Sequence, residues 1–158
     1  MPEPFEPRTD PDVDLRVPAD RREVTARPAA VLATIAAGGV LGALARAGLQ
    51  HAVPHPPTGF PWATFGVNLS GCLLIGALMA VLGHLGGGHP LARPFLGVGV
   101  LGGYTTFSTY AVDVQQALVA GAAGTALAYL AATVFGALVA VGVGDAVTGA
   151  LLRRGATR

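Results

Sequence analysis

The side chains in this chain that could do chemistry are polar groups standing inside apolar runs. One run carries Thr105, Thr106, Ser108, Thr109 and Asp113, with the rings of Phe107 and Tyr110 three residues apart on one helical face. A second carries Thr64 and Asn68, four apart, and another carries Tyr129 and Thr133. Arg46 follows Gly38 and Gly42 at the same spacing of four. Hydroxyls and amides have no net charge, yet they can replace the water around a small, strongly hydrated ion without holding it too tightly to release. Their donors, and the positive edge of an aromatic ring, would serve an anion. Backbone unwound near Gly102 and Thr105 would instead expose carbonyls, which coordinate cations. The residues themselves point to a small-ion pathway and leave the sign of the ion open. They also have plainer uses. Ser and Thr bond their own helix backbone, Arg46 can snorkel from a helix end, and Asp113 can pair with Arg46 or Arg93.

These groups need elements to hold them, and the charges say where those elements lie. The chain has 158 residues, 52% hydrophobic and 12% charged. Twelve of its 19 charged side chains fall in residues 1–27 and three in the last six residues. Residues 28–152 keep only Arg46, Arg93, Asp113 and Asp145. A soluble domain carries roughly 25% charged residues, so this stretch is too poor in charge to cover a surface in water. It reads as membrane-embedded. The absence of a basic stripe argues against nucleic-acid binding. No nucleophile–base pair, metal ligand set or phosphate loop marks an enzyme. The lone Cys72 lies in an apolar run, where it has no intrachain partner.

The apolar runs are continuous rather than alternating, which favours helices over a barrel. A crossing needs about 20 apolar residues, so the length suits four spans. They are expected near 29–49, 61–82, 91–119 and 125–151. Loops rich in Pro or Gly separate them: Pro54, Pro56, Pro57 and Gly59 in one, residues 83–90 in another. The third span is long and has Gly102-Gly103-Tyr104-Thr105-Thr106 near its middle, where a helix could unwind. Glycine and alanine crowd every span and suit close packing of membrane helices. Residues 1–27 hold five prolines besides their charges and no apolar segment. They read as a disordered tail rather than a targeting signal, and residues 153–158 as a short basic tail.

Four stretches resemble the Fluc (CrcB) fluoride channel family. They are Gly38-Gly39-Val40-Leu41-Gly42-Ala43-Leu44-Ala45-Arg46, Thr64-Phe65-Gly66-Val67-Asn68-Leu69-Ser70-Gly71, Gly102-Gly103-Tyr104-Thr105-Thr106-Phe107-Ser108-Thr109-Tyr110, and the region of Tyr129. The resemblance covers about residues 29–152. It implies an all-α membrane protein with four transmembrane helices per subunit, the third broken in its middle. Two such subunits would form an antiparallel dimer of dual-topology type. It implies passive, selective fluoride export across the plasma membrane. It also implies a structural sodium ion at the dimer centre, held by the backbone carbonyls of Gly102 and Thr105. On this resemblance Phe107 offers its ring edge to fluoride and Asn68 lines the pore. Thr64, Ser108, Thr109 and Tyr129 match a polar track, and Arg46 lies near the pore vestibule. Tyr110 stands at the family's second phenylalanine, and Asp113 where the family usually has Glu.

The arginines add an expectation about orientation. Four spans would put both termini and the middle loop on one side of the membrane. That side holds Arg21, Arg22, Arg27, Arg93, Arg153, Arg154 and Arg158, whereas loops 51–60 and 120–124 hold no Arg or Lys. The positive-inside rule then places the termini in the cytoplasm. An antiparallel homodimer needs one chain inserted both ways, so this bias favours a heterodimer with a homologous second subunit. A proton-coupled small-molecule exporter is the alternative, but it would want an acid deep in the first span, where the only charge is Arg46. A purely structural membrane partner would not require the string Thr-Thr-Phe-Ser-Thr.

Overall fold

The computed structural model describes residues 28–85 and 91–156, and every regular element among them is helical. The expected tail over residues 1–27 lies outside the described residues. Helix α1 spans Pro28–Ala52 and α2 spans Trp62–His84. A π-helical stretch, α3, spans Arg93–Leu101 and runs directly into a single turn, α4, Gly102–Tyr104. Then come α5, Ser108–Val119, and α6, Ala123–Ala156. Three of these, Pro28–Ala52, Trp62–His84 and Ala123–Gly155, are long and apolar enough to cross a membrane. Their most apolar windows are only 11–17% buried within the chain. Side chains such as Leu44, Leu127, Phe135 and Leu138 point outward. Apolar surface on this scale is at home in lipid or against another chain, and the molecule is a multi-pass membrane protein.

Local sequence explains the element ends. Pro28 occupies the first turn of α1, where its missing N–H costs nothing. The Pro-rich loop after α1 ends at Pro61, the N-cap of α2. Between α5 and α6 the N–H of Gly121 donates to Leu118 O and that of Ala122 to Ala117 O. This is a Schellman closure, and it needs the left-handed conformation that Gly121 adopts at φ 76°. Helix α6 runs through Ala156, past the expected end, so Arg153 and Arg154 sit on its last turns.

The packing is organised by glycine. Helix α1 lies chiefly against α3 and α4, whereas α2 lies chiefly against α6. A β-carbon on Gly38 would strike the backbone of Phe95, Gly99 and Val100, and one on Gly42 would strike Val100 and Tyr104. Glycines of the facing stretch answer them: Gly99 meets Ile35 and Gly38, and Gly103 meets Gly39. On the other side Gly76 touches the backbone of Val141 and Asp145, and Gly144 that of Leu73 and Ala77. Backbones in direct contact are what small residues permit in a membrane, where the hydrophobic effect does not drive helices together. The small-residue face read from Gly38, Gly42 and Arg46 is thus the α1 contact surface.

Between α4 and α5 the chain leaves helical geometry. Thr105 is extended, with φ −76° and ψ 161°, and the helix resumes at Ser108. The stretch before this interruption packs on α1, and α5 after it packs on α6. The non-helical residues 105–107 are therefore the hand-over between the two helix pairs. They lie slightly beyond the expected Gly102–Thr105, because α4 keeps Gly102 and Gly103 helical.

Candidate functional site

The interruption is held by side chains from two other helices. Asn68 on α2 uses both ends of its amide: Nδ2 donates to Thr106 O at 3.0 Å, and Oδ1 accepts from Thr106 N at 2.9 Å. Arg46 on α1 donates from Nε to Gly103 O at 3.1 Å. Thr106 Oγ1 accepts from the N–H of Thr109 at 3.1 Å, as a helix-capping hydroxyl does, and also bonds the hydroxyls of Ser108 and Thr109. Thr105 turns back, its N–H and its hydroxyl both donating to Leu101 O.

These bonds redirect the helical donors around the interruption. In a continuous helix the N–H of Thr106 would serve Gly102 O and that of Thr109 would serve Thr105 O. Here the first goes to Asn68 and the second to Thr106 Oγ1. The carbonyls of Gly102 and Thr105 are thus freed of their usual partners. Gly102 is exposed, and an added β-carbon there would meet nothing closer than Gly97 O at 3.9 Å.

Beside the interruption lies an open groove of about 540 Å³. Its polar lining comes from Asn68, Thr105, Thr106, Tyr110 and Thr133, with Phe107 at its edge and Cys72 in its wall. Phe107 is 79% exposed, and its ring centroid lies 5.8 Å from that of buried Tyr110. The Tyr110 hydroxyl donates to Leu130 O at 3.2 Å, which fixes the ring against α6. Thr133 Oγ1 is buried and has no hydrogen-bond partner among the described residues. A buried hydroxyl left bare is costly unless something visits it.

From Tyr110 a second group leads away from the groove. Tyr110 and Tyr129 meet edge to face at 5.1 Å. The Tyr129 hydroxyl donates to Asp113 Oδ2 at 3.4 Å, and Asp113 Oδ1 lies 3.8 Å from Nε2 of His55 in the α1–α2 loop. Thr64 is fully buried at the same level and accepts from Gln50 Nε2 at 3.3 Å. Pairing with Arg46 or Arg93 is one of the uses the sequence leaves open to Asp113. The structure corrects this: its partners are a phenol and an imidazole, while Arg46 is spent on Gly103. The reason is geometric, since Asp113 sits on α5 beside α6 and Arg46 faces α4 on the other pair.

The family described as "CrcB-like protein, Camphor Resistance (CrcB)" matches residues 33–145, which hold the interruption, the groove and the group leading from it. The chain belongs to this CrcB-like family. It is 53% identical over 128 residues to "Fluoride-specific ion channel FluC 2" of Thermobifida fusca, covering 81% of this chain and 95% of that one. It is 50% identical over 124 residues to "Fluoride-specific ion channel FluC 2" of Streptomyces avermitilis, covering 78% of each. It is 49% identical over 135 residues to "Fluoride-specific ion channel FluC 1" of Streptomyces coelicolor, covering 85% of this chain and 88% of that one.

In this CrcB-like chain the structure gathers half of the residues singled out from sequence at the groove and sets the others around it. Asn68, Gly102, Thr105, Phe107 and Tyr110 share the groove. Thr64 and Tyr129 lie in the group beyond Tyr110, Ser108 and Thr109 bond to Thr106, and Arg46 braces Gly103. Two lining hydroxyl residues, Thr106 and Thr133, are not among the site residues that the resemblance implies. The signal for Thr133 was present: it lies four residues after Tyr129, hence on the same face of α6.

Proposed function

We propose that this chain is one subunit of a passive, fluoride-selective channel that exports cytoplasmic fluoride across the plasma membrane. The observation that carries the reading is the Asn68 clamp on Thr106, set beside a groove edged by Phe107 and Tyr110, in a CrcB-like chain. Its relatives bear the name of fluoride-specific channels. The donors suit a small anion: amide, hydroxyl and ring edge each offer partial rather than full positive charge, so contact with them does not trap it. In this reading Asn68 and Thr133 replace water around the ion and Phe107 presents its ring edge. Thr64, Ser108, Thr109 and Tyr129 carry the path onward. Arg46 attracts anions to its mouth while bracing Gly103.

In the same reading α1, α2, the interrupted α3–α5 and α6 are four spans, and the third is a broken transmembrane helix. Their exposed apolar faces support an antiparallel dimer. A sodium ion suits the carbonyls of Gly102 and Thr105, which are hard oxygen donors released from helical bonding. When bound it would supply a fixed positive charge beside the interruption. The arginine bias supports cytoplasmic termini and a heterodimer, and relatives numbered FluC 1 and FluC 2 fit a system of more than one such chain.

The test is fluoride efflux from liposomes containing the purified chain, alone and mixed with a homologous second subunit, against chloride as control. Fluoride flux with negligible chloride flux is expected in at least one preparation. Absence of fluoride flux in both would defeat the channel reading. Reporter fusions at the C-terminus test orientation: a single cytoplasmic location is expected, and insertion both ways would favour a homodimer instead.

A further inference from the structure

An anion path gains nothing from a bare carboxylate, yet Asp113 is buried beside Tyr129. Among the described residues its partners are the phenol of Tyr129 and the imidazole of His55. Both contacts are loose, at 3.4 Å and 3.8 Å; a carboxylate that holds a hydroxyl firmly does so at about 2.5–2.7 Å. A buried carboxylate is costly unless it is paired and hydrogen-bonded, and a phenol brings no charge to offset it. His55 is the one described side chain within ion-pair reach of Asp113 that can become a cation.

The loop between α1 and α2 holds His55 over Asp113. Pro54, Pro56 and Pro57 flank it, and their fixed φ angles leave the segment few conformations to lose. The N–H of Gly59 closes a turn on Pro56 O at 2.8 Å. Thr125 on α6 donates to Thr58 O at 3.3 Å, and the Phe60 ring meets that of Tyr129 edge to face at 5.4 Å. The loop is thus tied to α6 a few residues after His55 and to α1 just before it. His55 is partly exposed, so protons reach it from water. The other titratable groups at this end are His51 on the last turn of α1, exposed and outside ion-pair reach of Asp113, and the phenols of Tyr110 and Tyr129. Helix α2 brings only the hydroxyl of Thr64, and Arg46 of α1 is bonded to Gly103 O.

We propose that His55 is a positioning residue for conduction: when protonated it offsets the charge of Asp113, and fluoride then passes Tyr129 more readily. This rests on the chain being a fluoride channel in which Tyr129 carries the path onward. The sign follows from charge. Neutral His55 leaves a full negative charge beside Tyr129, and that charge repels an approaching anion. The carboxylate also occupies the Tyr129 hydroxyl, the one hydrogen that a phenol can donate to fluoride. Protonated His55 makes the pair neutral and draws the carboxylate toward itself, which loosens the already long bond to Tyr129. Imidazole changes charge between about pH 5 and 8, so flux should fall as pH rises across that range. On the orientation that the arginines support, loop 51–60 lies on the side opposite the termini, and His55 responds to the outer solution.

Fluoride efflux from liposomes holding the full chain tests this, with the same second subunit in every preparation where flux requires one. Internal and external pH are matched and stepped from about 6 to 8, and the leak of protein-free liposomes is subtracted at each step. Flux of the unaltered channel should be roughly fivefold greater at the acid end than at the alkaline end, the size of one partly exposed charge pair. His55→Gln should be low and flat with pH, whereas His55→Arg, whose charge is fixed, should be high and flat. Asp113→Asn should be flat as well, and adding His55→Gln to it should change nothing. Thermal unfolding midpoints in detergent separate a loss of fold from a loss of charge. A purely structural His55 would lower flux and midpoint equally in the Gln and Arg variants and leave the pH profile intact. That pattern would overturn the proposal, as would pH-independent flux in the unaltered channel, or a pH dependence that survives His55→Gln; all three leave the channel reading standing. No fluoride flux at any pH would defeat both.

Discussion

Replacing Asn68 with Ala removes two hydrogen bonds at once, and both partners are backbone groups of Thr106. Neither group can find a helical partner, because the chain around them is not helical. An orphaned buried polar group costs about 1–3 kcal/mol. Asn68 is 9% exposed but borders the open groove, so water can reach part of the vacated space. The expected loss is therefore about 2–4 kcal/mol rather than the full sum of two such costs. The loss is local: residues 105–107 lose their tie to α2, while the glycine contacts of α1 with α3 and α2 with α6 remain. Amide hydrogen exchange reports this directly. In Asn68→Ala the Thr106 amide should exchange much faster, with exchange in the middle of α6 unchanged, and fluoride flux into liposomes should fall steeply. Asn68→Asp separates the two bonds. It keeps the acceptor for Thr106 N–H but sets a carboxylate against Thr106 O, so it should be at least as damaging to flux while protecting the amide. Unchanged Thr106 exchange in Asn68→Ala would refute the clamp, whatever happened to flux.

Three further outcomes are expected. Gly42→Val places side-chain atoms on the backbone of Val100 and Tyr104; overpacking of this kind costs about 1–3 kcal/mol or more, and a lowered thermal midpoint in detergent checks it. Thr133→Val removes a buried hydroxyl that has no partner among the described residues; the unfolding midpoint should rise by the equivalent of about 1 kcal/mol while flux falls. A rise in midpoint with unchanged flux would take Thr133 out of the pathway. Phe107→Ile should abolish flux, because that exposed ring edges the groove, whereas Tyr110→Ile should lower stability as well, since it deletes the bond to Leu130 O and the contact with Tyr129. Equal and negligible effects on flux would show that neither ring faces the ion.

The sequence was most informative where a membrane makes polarity expensive. A soluble protein can scatter Thr, Ser and Asn freely, so their positions say little. In a chain with four charges between residues 28 and 152, Asn68 and the Thr105–Tyr110 string stand out because each needs a partner. The glycines were legible for a related reason: spacing of four puts Gly38 and Gly42 on one face, and only a close neighbour gives that face a use. Asp113 was harder. Its charge suggested an arginine, but a phenol and an imidazole from distant parts of the chain reach it instead, and no spacing rule links residues 55, 113 and 129.

Sequence alone determined that this is a helical membrane chain with a polar interruption in its third apolar run, since continuous apolar runs, glycine spacing and charge placement are local properties. Tertiary structure decided what the interruption does. It showed that α3 and α4 belong with α1 and that α5 belongs with α6, so residues 105–107 pass the chain between two helix pairs. It also decided that Asn68, thirty-eight positions from Thr106, supplies the bonds the helix gives up there. Those are contacts between elements remote in sequence, and a periodic pattern within one helix carries no information about which other helix it meets.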